Sequence, residues 1–296
     1  MLKFYLHKDI DLNKWNHSIN NSLDADIFHT YWFLNIATNN KWDAIISDNY
    51  DILIPLPYKL TLRRKHIDTP DLIPYSGPLH AKIISTLNEN IQQEFIDLLK
   101  ANKLKLKKFR TLSSNFKNLN PALKSFFVTD LIYPYDRLYD NYQPDIKEII
   151  QKADNLKLHF NSKIKIEGAI EFLYDNNTYQ RLDNYEKIKN ICKIAQNKKQ
   201  LKILGLYNSR MELLALGIFL IFKNKISFLS FGYKSSDQTF KPDHLYLLIS
   251  NEIIKTFSAN NYIFRIFPWL FPNINPSGLK ELNFYKQSVF DTSLSR

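Results

Sequence analysis

The sequence is short of cysteine, glycine and long apolar runs, and each shortage excludes something. One cysteine in 296 residues, Cys192, leaves no intramolecular disulfide and no cysteine-rich zinc site. With 6 Gly and 12 Pro, and with frequent strand-like apolar runs, the chain reads as neither disordered nor fibrous. The longest apolar run, Leu213 to Phe222, is 10 residues and too short to span a bilayer. The segment Met1 to Lys8 has no apolar core of signal-peptide length, so the expectation is a soluble, cytoplasmic protein with no membrane span. Gly-x-Ser-x-Gly, Walker-loop and His-Glu-x-x-His patterns are absent, and the 7 histidines show no metal-ligand spacing. His29, flanked by apolar and aromatic residues, reads as a hydrogen-bonded core histidine.

Arginine is scarce as well. Of 40 basic residues 8 are Arg, in a chain of net charge +11 rich in Lys, Asn, Ile, Tyr and Phe. A surface built for phosphate favours Arg, whose planar fork matches that geometry. Lys103, Lys105, Lys107 and Lys108 cluster just after Lys100 and read as a solvated helix end and strand. No nucleic-acid-binding motif accompanies them, so sequence-specific DNA binding is not expected.

What is present is an alternation of helical and strand periodicities, the mark of an α/β protein. Ile91, Phe95, Leu98 and Leu99 form an amphipathic helical stripe, as do Ile146, Ile149, Ile150 and Ala153. Ile188, Ile191, Cys192 and Ala195 form another, which makes Cys192 a packing thiol rather than a nucleophile. Two helices are expected at about Leu12 to Ile19 and Ile27 to Ala37, then a hairpin with strands at Ala44 to Ser47 and Ile52 to Leu56. The second half reads as strands at Leu201 to Tyr207, Glu212 to Phe222 and Ile226 to Tyr233, and a helix through Leu245 to Phe257. A strand at Tyr262 to Phe267, a short helix at Ser277 to Phe284 and a strand at Gln287 to Asp291 complete it. Nearly the same succession occurs twice, which implies a duplicated α/β unit with domains 1–133 and 134–296.

Several segments resemble one family. Trp42-Asp43-Ala44-Ile45-Ile46 followed by Ile54-Pro55-Leu56-Pro57-Tyr58 resembles the first hairpin of small bacterial FemAB-like proteins. Pro134 to Tyr139 leading to Ile150-Gln151-Lys152-Ala153 resembles their inter-domain strand and helix. Phe172-Leu173-Tyr174 through Arg181, and Gly205-Leu206-Tyr207 with Leu213 to Leu220, resemble the entry to their second sheet. Nearly the whole chain is covered, and no insertion corresponds to the coiled-coil arm of larger members. The resemblance implies two tandem GNAT-like domains and acyl or aminoacyl transfer to an amine, from aminoacyl-tRNA or acyl-CoA, without a tightly bound cofactor or metal. A small-molecule or peptide amine, and tRNA as donor, are the partners it implies.

By the same resemblance, Tyr285 of Phe284-Tyr285 matches the acid that GNAT enzymes take from their last helix, although Val289 stands where Gly is usual and Lys286 is near but not equivalent to the family's lysine. A packed aromatic on an amphipathic helix is the other reading of Tyr285. The stretch Gly232 to Thr239 holds one Gly, which argues against a standard coenzyme A loop, and Arg265 stands where an acidic residue is common. The expected cleft lies between the strands ending at Tyr233 and Phe267, walled by Tyr233, Lys234, Trp269 and Tyr285, with Arg181 carried over as a substrate-binding residue. Arg63 and Lys65, in Arg63-Arg64-Lys65-His66, read either as a loop that meets a phosphate or carboxylate or as a plain exposed loop. The loss of Gly and the presence of Arg265 leave a second function open: a catalytically inactive GNAT-fold protein that binds a ligand or protein.

Overall fold

The periodicities named above become elements in the computed structural model, which describes residues 1–80, 90–111, 122–176, 182–235, 239–268 and 285–293. In chain order these are β1 (Leu2–Tyr5), α1 (Leu12–Asn21), α2 (Tyr31–Thr38), β2 (Trp42–Ser47), β3 (Ile52–Thr61), β4 (Arg64–Asp68) and β5 (Leu79–His80). Next come α3 (Asn90–Ala101), β6 (Lys105–Thr111), β7 (Ala122–Asp130), α4 (Tyr135–Asp140), α5 (Pro144–Asn155) and β8 (His159–Asn161). Then follow α6 (Ile166–Asn176), α7 (Leu182–Asn197), β9 (Leu201–Tyr207), β10 (Leu213–Phe222), β11 (Lys225–Tyr233), α8 (Pro242–Phe257), β12 (Ile263–Ile266) and β13 (Tyr285–Ser293). The helix expected from Ile27 to Ala37 is instead a 3-10 turn, Ile27–His29, followed by α2, because Thr30 takes an extended conformation between them.

Two units result, Met1–Ser125 with Ser288–Arg296, and Phe126–Gln287. The first contains the sheet β1-β2-β3-β4-β6-β13, with β5 on β3. Its pairings are antiparallel except for β4 with β6, which run parallel. The stripe Ile91, Phe95 and Leu99 of α3 closes a core with Ile45, Ile54, Leu56, Ile67 and Phe109. After β4 the chain stays against β6: the Thr69 N–H donates to the Lys108 carbonyl (2.9 Å) and the Ser76 N–H to the Arg110 carbonyl (2.8 Å). The buried Arg110 guanidinium donates to the carbonyls of Thr69 (3.1 Å) and Pro70 (2.7 Å), and the Pro70 carbonyl also accepts the Ile73 N–H (3.1 Å). His29 is a core histidine as expected. Its Nδ1 accepts the Asp26 N–H (2.9 Å) and its Nε2 lies 2.8 Å from the Tyr75 carbonyl, which makes Nε2 the protonated nitrogen.

The second unit contains the sheet β7-β12-β11-β10-β9-β8, antiparallel except for β11 with β12. α8 covers one face, with Ile249 against Gly217, and α6 covers the other, with Leu173 against Gly232. Coverage on both faces explains why Leu213 to Phe222 is a continuous apolar run rather than an alternating one.

Apart from the two-residue β5, the succession strand, two helices, three strands, helix, strand therefore occurs twice, in β1 to β6 and in β8 to β12, and in each copy the last strand runs parallel to the third meander strand. The strands that follow are exchanged. β7, which follows the first copy, pairs with β12, and β13, which follows the second, pairs with β6 (Phe290 opposite Thr111, Ser293 opposite Lys108). The first unit is thus discontinuous in sequence, whereas the sequence reading drew two continuous domains with one boundary at 133/134. A local pattern reports that a strand exists but not which edge receives it.

Candidate functional site

β11 and β12 define the site. They pair in parallel at Lys225 with Ile263, Ile226 with Phe264 and Ser227 with Arg265. Beyond Ser227, β11 continues to Tyr233 with no further partner in β12. The parting coincides with a register shift: Ile218 faces Ser230 and Phe219 faces Phe228, so Leu229 is an extra residue on β11. A bulge of this kind bends its strand and increases the local twist, which turns the edge of β11 away from its neighbour. The pairing of the two strands therefore ends at Ser227 and Arg265, on the side where the sequence places the expected cleft.

Aromatic residues stiffen the wall on the α8 side. The Phe228 and Tyr246 rings stack at 5.0 Å and 6°, and Phe231 meets Tyr246 edge-on at 5.1 Å. Phe219 and Phe264 complete the cluster, with Phe219 4.3 Å from Phe228 and 5.9 Å from Phe264. Tyr233 follows Phe231 at 6.0 Å and is half-buried. The Lys234 N–H donates to the Leu214 carbonyl (2.8 Å), which extends the β10–β11 pairing past the end of β11. Two expected wall residues, Tyr233 and Lys234, thus stand together where β11 leaves the sheet.

The start of α8 is the other part of the site. Pro242 opens the helix and removes one N–H, Asp243 places a carboxylate in the first turn, and the Lys241 cap forms no side-chain hydrogen bond. Basic groups gather beside it. Lys152 Nζ donates to the Thr239 carbonyl (3.0 Å) and sits 4.9 Å from the centre of the Phe240 ring. Burial lowers the His244 pKa, and Lys241 and Lys152 lower it further. The sequence reading missed Lys152, Lys241 and His244, because Lys152 reaches this turn from α5, far away in the chain. Gly232, read as the loop's one glycine, is still inside β11, and a Cβ there would lie 2.8 Å from Leu173 Cδ2. That glycine serves packing against α6.

Other expectations fall out differently. Tyr285 is the first residue of β13, not a residue on a closing helix, because the stretch 285–293 is recruited as a strand beside β6. Trp269, Arg181 and the expected helix at 277–284 lie outside the described residues. Arg63 is exposed in the β3–β4 turn, where it and Leu62 adopt left-handed φ of 61° and 50°. Lys65 is committed internally, with Nζ 2.5 Å from Asp43 Oδ2 and 4.4 Å from the Tyr58 ring centre. Both belong to the first unit, whereas Tyr233 and Lys234 belong to the second. Among the described residues no cluster of His, Cys, Asp or Glu could hold a metal, and no helix is long and apolar enough to cross a membrane.

A bulged third strand parting from a parallel neighbour, with a helix between them, is a feature of GNAT-like units, and the fold is a two-domain GNAT-like one. Among solved structures, FemX is similar over 96% of this chain and 96% of its own, with a TM-score of 0.61 at 10% identity. A C-terminal domain named for lysylphosphatidylglycerol synthetase, from Agrobacterium fabrum, gives 0.55 at 8% identity over 95% of this chain and 91% of that one. A conserved protein of unknown function from Bacteroides thetaiotaomicron gives 0.53 at 13% identity over 98% and 99%. No protein-family model and no curated protein sequence matches the chain.

Proposed function

We propose that the protein is an acyl- or aminoacyltransferase of the FemAB/GNAT type that acts on an amine acceptor and takes its acyl group from an aminoacyl ester rather than a coenzyme A thioester. The observation that carries this reading is the parting of β11 from β12 at Ser227 and Arg265, with the Leu229 bulge beside it. An acyl carbonyl seated beside that parting needs donors for the oxyanion that forms when an amine attacks, and the Tyr233 phenol and Lys234 ammonium, which stand where β11 leaves the sheet, are the groups we assign to it. The choice of donor is supported by the start of α8. A pyrophosphate seated on a helix N-terminus needs several free N–H groups close to it. Here Pro242 withdraws one N–H and Asp243 repels an anion, while Lys152 and Lys241 leave a basic rim suited to a looser polyphosphate contact such as the end of a tRNA. Tyr285, as donor of the leaving-group proton, remains part of the proposal.

Transfer of labelled amino acids from charged tRNA to a panel of amines tests this directly. Turnover with aminoacyl-tRNA, none with acetyl-CoA, and a loss of ~100-fold in Tyr285→Phe is the expected result. Micromolar acetyl-CoA affinity by calorimetry overturns the choice of donor. Consumption of neither donor, with a ligand nonetheless bound at the parting of β11 from β12, establishes the inactive binding protein instead.

A further inference from the structure

A cavity of about 440 Å³, open on one side to solvent, lies in the second unit between α4, α5, β8 with its approach, and α8. Its size falls in the range of small-molecule sites. The α8 side presents Leu248, Asn251, Glu252 and Lys255, a stripe at helical spacing that stands side by side on one face. Asp154 of α5 adds a second carboxylate, and the rings of Tyr135 and Tyr139 form an aromatic wall.

The charges of this cavity make no close ion pair, although Lys255 and Lys202 favour the Glu252 carboxylate through space. Among the described residues, Asp154 and Glu252 have no ion-pair partner, and Lys255 has no carboxylate within ion-pairing distance. Lys255 Nζ is held 5.8 Å from the centre of the Tyr135 ring, a cation–π contact that positions the ammonium without neutralising it. Glu252 is half-buried, and burial raises its pKa. Asn251 is 6% exposed; its Oδ1 accepts the Tyr135 hydroxyl (3.1 Å), and its Nδ2 has no acceptor among the described residues. That amide N–H keeps solvent access, so a ligand in the cavity can reach it. One wall therefore offers an ammonium and an amide N–H to an anion, and beside it two carboxylates wait for a cation.

We infer that this cavity binds a small zwitterion, a molecule with an ammonium and a carboxylate on one apolar body, of which a free aliphatic amino acid is the simplest case. Its ammonium meets Glu252 and Asp154, its carboxylate meets Lys255 Nζ and Asn251 Nδ2, and its apolar part rests on Ile150, Leu158 and Phe160. The inference is independent of the acyl-transfer reading, since the cavity lies beside α5 whereas the expected cleft lies between β11 and β12.

Titration calorimetry on the full chain with three probes decides it: L-leucine, isopentylamine, which lacks the carboxylate, and 4-methylpentanoate, which lacks the ammonium. Leucine is expected to bind, and each single-ion probe to bind at least ~10-fold more weakly, the loss of one charge-assisted contact. Glu252→Gln and Lys255→Met are each expected to weaken leucine by ~10-fold or more with the fold intact by circular dichroism. Should either variant fail to fold, the probe series on the native chain still decides. Isopentylamine binding as tightly as leucine, leucine binding that survives both substitutions, or no binding of any probe at millimolar concentration overturns the inference.

Discussion

Asp43 of β2 and Lys65 of β4 form an ion pair, with Lys65 Nζ 2.5 Å from Asp43 Oδ2. The carboxylate is almost fully buried, and its other oxygen accepts the His7 N–H at 3.1 Å. Removing one partner of such a pair strands the other charge, and the penalty is larger than the pair's net worth. Lys65→Met is expected to cost about 3 kcal/mol of unfolding free energy in urea titration. Arg63→Met, at the exposed turn nearby, is expected to cost less than about 0.5 kcal/mol. Equal, small effects at both positions would show that Lys65 is not structural.

Glycine substitutions should divide by sign. A Cβ on Gly217 would lie 2.7 Å from Ile249 Cγ2 and 2.8 Å from Phe219 Cε2, two buried side chains with nowhere to go. Gly217→Ala is expected to destabilise by about 2 kcal/mol. Gly168 sits exposed in α6 with nothing within 4 Å of its Cβ position. Gly168→Ala is expected to stabilise by about 0.5 kcal/mol, since alanine gives up less backbone entropy in a helix. Thermal melts of the two variants in parallel check both signs.

The difference between what was legible and what was not follows from range. The α3 stripe, the β2–β3 hairpin and the meander β9 to β11 depend on side-chain periodicity within one segment, and the sequence shows them with errors of a residue or two at the ends, except that β3 runs five residues past the expected Leu56 to Thr61. The adjacency of β11 and β12 was expected from the resemblance to GNAT-like units rather than from any local pattern. The exchange of β7 and β13 was not legible, because an edge strand carries the same alternation whichever sheet receives it. Tyr285 was assigned to a helix for the same reason: the aromatic dipeptide is local, while the pairing of Phe290 with Thr111 is not. The commitment of Lys65 was hidden as well, since Asp43 is brought to it only by the sheet.

Cys192 is expected to be chemically silent. It is fully buried in α7, and burial pushes its thiol from 9.0 up to about 12. At about pH 8 the native thiol is neutral and shielded, so Ellman's reagent should titrate no thiol until the chain is unfolded. Between 9.0 and about 12 the folded chain keeps a proton that the unfolded chain has lost, so this group's contribution to stability falls as pH rises through that window. Rapid labelling of the native protein would contradict the burial of that helix face.

Glu252 gives a prediction of the same sign at lower pH. Burial raises its carboxyl above 4.5, and Lys255 and Lys202 offset that only in part. From 4.5 up to the raised value the folded chain holds a proton that the unfolded chain has released, so stability falls as pH rises. Above that window the half-buried charge is a standing cost, and Glu252→Gln replaces it with a neutral group of the same shape. The variant is expected to melt a few degrees higher than the native chain at about pH 7.5, and the gap should close as pH approaches about 4, where both side chains are uncharged. A variant that melts lower at neutral pH would mean that the Glu252 carboxylate is held by a stabilising partner.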